Sequence, residues 1–218
     1  MSEIYNLQFR RTAMRPNART WIKHTIYFLF TFITVTIAGV LPPFGILQIP
    51  FAESDPQTWA EIYQFLSALP SHYLSMIIGT ITALFTRPEV LSYGLEFSAS
   101  LLFILLCHEF GHYIACRIYG VDATLPFFIP TPPLLGPAGT LGAFIKIVSP
   151  MPSRKAVFDI GVAGPIAGFV AIIPIALIGF LTLKSDTAQS TNSLGIYFSD
   201  PLFYKILGII FGANLNLP

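Results

Sequence analysis

Charge is what this sequence has least of. Only 11% of its 218 residues are Lys, Arg, Asp or Glu, against about 25% in a soluble domain. Apolar residues make up 54%, and the mean hydropathy is +0.68. That balance excludes an ordinary solvated surface and leaves an integral, multi-pass membrane protein with short polar connections. There is no long basic run and no nucleic-acid motif, and the net charge is +1. A polyanion is therefore not an expected partner, while a lipid bilayer is. Cysteine is scarce too: Cys107 and Cys116 are the only two. Nine residues of helix separate them by about 13 Å and point them to nearly opposite faces, which excludes a disulfide between them. No convincing small-residue cleavage site follows the first apolar run, so residues 26–41 read as a retained helix. No internal repeat is present.

What is abundant is apolar sequence in membrane-length runs. Residues 1–20 are polar and basic, with Arg10, Arg11, Arg15 and Arg19, and Lys23 lies just beyond. The positive-inside rule makes this a cytoplasmic N-terminus. Residues 21–41 are long enough to span, since about 20 are needed, and Pro42-Pro43 ends the run. Residues 42–70 read as a mixed loop, with a short surface helix over 58–69. Residues 73–85 are apolar but only 13 long, a length that suits a re-entrant segment better than a span. Parity supports that reading. Arg117, Lys146, Arg154 and Lys155 make the region after the next apolar run basic as well. Two basic flanks on one side need an even number of crossings between them. Residues 156–183 form a further span, 184–200 a polar loop, and 201–213 a short apolar helix with Lys205 in its middle, read as interfacial.

Between these runs, residues 121–155 are neither helix nor ordinary loop. Pro126, Pro130, Pro132, Pro133 and Pro137 forbid a helix. Residues 139–148 follow as a small-residue turn and a β-prone stretch. The expected fold is therefore mostly α, a transmembrane helix bundle carrying a short β-hairpin or strand near the membrane surface. An open strand edge in that position can add an extended peptide; a hairpin that only shapes the loop is the equal alternative.

The chemistry sits in the run from 97 to 118, whose strongly polar residues are His108, Glu109, His112 and Arg117. His108-Glu109-Phe110-Gly111-His112 places two imidazoles four apart on one helix face, so both can reach one metal ion. Glu109 lies beside that stripe, where it can take a proton from metal-activated water. A single buried histidine is usually a satisfied core residue, but two rings and a carboxylate at membrane depth are costly without a function. Haem fits worse, because one helix face cannot reach both sides of an iron. Cys116 is about 12 Å along the axis from His108, too far to join both histidines on one ion, and reads as packing. The expected metal is Zn2+, held by His108 and His112 with Glu109 as general base.

Several separate motifs in order carry a family resemblance. They are Cys107-His-Glu-Phe-Gly-His-Tyr113, Leu125-Pro-Phe-Phe-Ile-Pro130, Gly139-Thr-Leu-Gly-Ala143, Ser149-Pro150 with Arg154, and Phe158-Asp-Ile-Gly-Val-Ala-Gly-Pro-Ile-Ala-Gly-Phe169. The stretch resembles the site-2 protease family of intramembrane zinc metalloproteases, peptidase family M50. The resemblance implies a core of three transmembrane helices, the first carrying both histidines and the glutamate. The third carries an aspartate ligand in an Asp-Gly context. No Asp-Gly occurs after Phe180. The expectation is thus a protease core over 91–218 that stops before its last core helix, preceded by an N-terminal helix, loop and re-entrant segment over 21–90. As written, the chain would bind zinc weakly and hydrolyse nothing. Asp159 is the one aspartate in the chain that could stand in as third ligand.

The activity this implies is zinc-dependent hydrolysis of peptide bonds in transmembrane substrates. The substrate strand would add to Gly139, Thr140, Leu141, Gly142 and Ala143. A helical peptide bond is shielded and already hydrogen-bonded, so the substrate must unwind. Two other classes compete: a catalytically silent membrane protein that binds transmembrane partners, and a metal transporter. The intact Glu109 argues against the first. The scarcity of polar residues in 156–183 argues against the second.

Overall fold

The computed structural model describes residues 16–47, 58–182 and 202–211. Its elements are α1 (Ala18–Gly39), α2 (Trp59–Thr86), α3 (Pro88–Ile118), β1 (Phe127–Pro130), β2 (Thr140–Phe144), α4 (Arg154–Thr182) and α5 (Leu202–Phe211). A 3-10 turn, Pro137–Gly139, leads into β2. The basic cluster at Arg10, Arg11 and Arg15, the loop expected over 184–200, and Asp186 and Asp200 within it, lie outside the described residues. Among the described residues, four helices, α1 to α4, are long and apolar enough to cross a membrane, and many of their large apolar side chains, such as Phe85 and Phe103, face outward. With the small sheet, they make the chain a polytopic membrane helix bundle.

Local sequence explains the helix starts. Asn17 caps α1 by accepting the Thr20 N–H at 2.8 Å. Thr58 and Glu61 form a reciprocal capping box at the start of α2. Pro88 opens α3 with only Arg87 between it and the end of α2; proline suits a first helical position because the N–H it lacks would be unpaired there anyway. Two expectations change here. The separate surface helix over 58–69 and the 13-residue segment 73–85 are one helix of 28 residues, with Pro70 inside it. Proline disfavours a helix interior but does not forbid it, and the box-capped start and apolar continuation carry the helix through. The metal-motif helix is also longer than its apolar run, beginning at Pro88 and reaching 31 residues. That is about 46 Å, so it exceeds a hydrocarbon core of about 30 Å.

Helices α1 and α3 run antiparallel, as their contacts show step by step. Val40 clusters with Ala83, Leu84 and Val90. Thr36 bonds Ser98, oxygen to oxygen at 2.9 Å. Val35 packs with Leu102 and Phe128. Trp21, His24 and Phe28 share a cavity with Leu106 and Phe110. The start of α1 and the end of α3 therefore lie at one end of the bundle. The end of α1, the end of α2 and the start of α3 meet at the other. The two helix ends thus share one side of the bundle, while α2, at 28 residues, is itself long enough to cross a membrane.

Strands β1 and β2 pair antiparallel, with Phe127 opposite Phe144, Phe128 opposite Ala143, and Pro130 opposite Thr140 after a register shift. The hairpin lies along α1. Tyr27 and Phe28 meet Phe127 and Phe128 ring to ring, and His24 Nδ1 donates to the Pro126 carbonyl at 2.8 Å. Beyond the sheet, Thr124 and Lys146 exchange hydrogen bonds, which carry the ladder toward α4.

The antiparallel pairing fixes a topology test. Single cysteines at Asn17 and Ser153, in a background without Cys107 and Cys116, should behave alike toward a membrane-impermeant thiol reagent in sealed vesicles. Labelling of one and protection of the other would contradict the placement of the two helix ends.

Candidate metal centre

Helix α3 brings His108 and His112 together as four-residue spacing dictates. Their Nε2 atoms stand 3.2 Å apart, with ring planes at 74°. His112 Nδ1 lies 2.7 Å from the carbonyl oxygen of Ile160 on α4. A carbonyl can only accept, so the proton is on Nδ1, and a neutral His112 presents a bare lone pair at Nε2. Such a bond from the outer nitrogen is what normally orients a metal-ligating imidazole. Two nitrogens each about 2.0–2.1 Å from one zinc, at a tetrahedral angle, lie about 3.3 Å apart. The observed separation matches, so this pair fits one zinc ion.

The wall behind the histidines is made of absent side chains. A Cβ on Gly164 would lie 2.1 Å from His112 Nε2, and one on Gly168 would lie 3.2 Å from His108 Nδ1. A Cβ on Gly111 would come within 2.5 Å of the Ala163 carbonyl. Glycine at these three positions lets α3 and α4 approach until the rings fill the gap between them. The sequence reading did not single out Gly164 and Gly168 as the wall behind the histidines. The signal was available: they repeat the four-residue spacing of the histidines they face.

Glu109 is buried, with 7% of its surface exposed. Its carboxylate accepts the backbone N–H of Ile145, the residue after β2. The hairpin therefore touches the motif helix at the glutamate itself. Its small residues serve different ends. Gly139 is buried against α1: its φ is +76°, and a Cβ there would lie 2.4 Å from the Thr34 carbonyl. Thr140 is buried, and its hydroxyl donates to Ile129 O at 2.8 Å while accepting from Gly142 N–H at 3.0 Å. Ala143 packs beside Val35 and Leu102. Leu141 is 62% exposed, and Gly142, with φ at +99°, has nothing within 4 Å of where a Cβ would be.

Asp159 is not brought to the histidines as a ligand. Its carboxylate accepts a hydrogen bond from the Tyr119 hydroxyl, and this bond holds the Tyr119 phenol above its ordinary pKa. The pair ties the end of α3 to α4 one residue before Ile160. Cys116 is fully buried among Ala115, Val121, Ala156 and Ile160 and serves packing. Among the described residues, no three His, Cys, Asp or Glu side chains gather closely enough to hold an ion.

Two histidines and a buried glutamate thus meet on one membrane-length helix of a membrane helix bundle. Residues 96–215 match peptidase family M50, and the chain belongs to that family. It is similar to the probable zinc metalloprotease EGY1, chloroplastic, of Oryza sativa subsp. japonica, at 28% identity over 199 residues, which is 79% of this chain and 33% of that relative. The Arabidopsis thaliana EGY1 protein is 29% identical over 204 residues, 82% of this chain and 36% of its own length. The Arabidopsis thaliana probable zinc metalloprotease EGY2, chloroplastic, is 29% identical over 132 residues, 61% of this chain and 23% of its own. The chain thus spans about a third of the length of the EGY1 relatives. No solved structure matches it.

The glycine wall yields a matched pair of variants. Gly164→Ala should displace the His112 ring and lower bound zinc at least tenfold, measured as metal per protein after dialysis. Gly161→Ala, on the same helix with open space at its Cβ, should leave zinc unchanged. Equal zinc in both would remove Gly164 from the site.

Proposed function

We propose that this chain carries the catalytic helix of an intramembrane zinc metalloprotease that cleaves transmembrane protein substrates. The observation that carries this reading is the 3.2 Å convergence of His108 and His112 Nε2 beside the buried carboxylate of Glu109. When bound, zinc supplies Lewis acidity, which makes water nucleophilic at neutral pH and polarises a carbonyl. His108 and His112 would hold it as neutral imidazoles, two of the three protein ligands usual at a catalytic zinc. His112 keeps its tautomer through Ile160. Glu109 takes the proton from water at its carboxylate oxygen and delivers it to the leaving amine. The Ile145 N–H orients that carboxylate while leaving further lone pairs for the transfer.

The outward residues of β2 support a role for the hairpin in presenting substrate. Leu141 is exposed and Gly142 is open on its Cα side, so an extended chain can lie along this edge. Gly139, Thr140 and Ala143 hold the strand in place for it. In this reading residues 91–218 are the protease core, and the end of the bundle carrying Arg19, Lys23, Arg154 and Lys155 faces the cytoplasmic side.

Glu109→Gln in the complete protein tests the reading. Loss of a general base costs about 10²- to 10⁴-fold, so cleavage of a transmembrane reporter should fall at least a hundredfold while bound zinc stays within twofold. Residual cleavage within tenfold of wild type would make Glu109 something other than the base. A wild-type protein that binds zinc and cleaves no membrane substrate would favour the silent or transporting alternatives.

A further inference from the structure

We infer that α1 is part of the proteolytic machinery, with Thr34 as the positioning residue that holds the substrate strand in register; this rests on the protease reading above. Helix α1 ends at Gly39, and the family match begins only at residue 96. Membership of the family therefore assigns α1 nothing. Its contacts, however, are with the hairpin and α3.

The key contact is a two-way fit between Thr34 and Gly139. The Thr34 hydroxyl lies 2.8 Å from the Gly139 carbonyl oxygen. Gly139 in turn presses its Cα against the Thr34 backbone carbonyl, where a Cβ would sit at 2.4 Å. The same Gly139 carbonyl accepts the Thr131 N–H at 3.0 Å across the hairpin. Thr34 is 9% exposed and Gly139 is buried, so no water competes for these groups. Gly139 is the residue immediately before β2, and its position sets where every following residue of the strand lies. Five residues after Thr140, Ile145 donates to Glu109. Thr34 thus anchors one end of the strand whose other end meets the proposed base. The hydroxyl has one proton and a second acceptor, Thr31 O at 3.0 Å; the Gly139 oxygen is nearer.

The opposite end of the hairpin is tied to the same helix. His24 Nδ1 holds the Pro126 carbonyl, and Tyr27 and Phe28 cover Phe127 and Phe128. Both strands are thus referenced to one rigid rod, and the edge carrying Leu141 and Gly142 cannot slide along α3 without breaking these contacts.

Thr34→Val, Thr34→Ser and Thr36→Val in the complete protein form the test, with cleavage kinetics and hydrogen exchange read on each. Thr36 is a buried threonine of the same helix that bonds Ser98 instead of the hairpin, so it controls for lost helix packing. A cross-helix hydrogen bond in a membrane protein averages about 0.6 kcal/mol and reaches about 1.7. Thr34→Val should therefore raise KM about threefold or more with kcat and zinc content held within twofold. Exchange at the Thr131 amide and at residues 139–145 should speed by a similar factor. Thr34→Ser should restore both, and Thr36→Val should leave both at wild type. Simple partial unfolding would instead lower kcat and zinc together at unchanged KM. A smaller KM change in Thr34→Val, an equal change in Thr36→Val, or no recovery in Thr34→Ser overturns the assignment. The exchange measurement needs no proteolysis, so it judges the anchor even if the protease reading fails.

Discussion

The contact of α3 with α4 through missing Cβ atoms is the constraint from which the site follows. Gly111 lets the two backbones meet, and Gly164 and Gly168 make the hollow into which His112 and His108 turn. Only at that distance does the Ile160 carbonyl reach His112 Nδ1. The hydrogen bond then fixes which ring nitrogen is bare, and the pair converges. In a bilayer, apolar surface gives little drive for helices to associate, because lipid tails are as apolar as leucine. Close backbone approach and interhelical hydrogen bonds must do that work instead. The same atoms that hold the bundle together therefore orient the two histidines.

The hairpin presents the opposite problem. Non-helical backbone at membrane depth is tolerated only where its polar groups find partners. Here side chains from three helices supply them. His24 and Thr34 of α1 bond the Pro126 and Gly139 carbonyls. Tyr73 of α2 bonds the Pro133 carbonyl at 3.0 Å. Glu109 of α3 accepts the Ile145 N–H. The proline content of this segment fits that economy. Each proline removes a donor that would otherwise need an acceptor, while carbonyls such as Pro126, Pro133 and Gly139 are bonded from the helices.

Much of this was legible in the sequence, and the gaps have physical causes. The two histidines were readable because four-residue spacing alone brings them to one face, with Glu109 beside it. The hairpin was readable because proline, glycine and β-prone residues leave few alternatives. Helix α2 was misread because Pro70 looks like a boundary in a linear scan, whereas the helix carries one such residue inside a 28-residue length. The parity reading loses its short middle segment with that error, because α2 is itself long enough to cross. Ile160 and Tyr119 could not have been found. A backbone carbonyl leaves no mark on residue identity, and a tyrosine 40 residues from its carboxylate partner has no local signal.

Helix α1 shows how a site can extend beyond the sequence that marks it. The motif lies on α3 and its wall on α4, both within the stretch shared with the family. The strand nearest Glu109, however, is positioned from α1, outside that stretch. A short strand pair is marginal on its own, and this one has only four and five residues per strand. It keeps its place because it is fastened to a helix of 22 residues at both ends. Since Ile145 donates to Glu109, any shift of the strand is also a shift of the donor that orients the carboxylate. The strand and the Glu109 carboxylate are thus one mechanical unit, and α1 is the element that holds it.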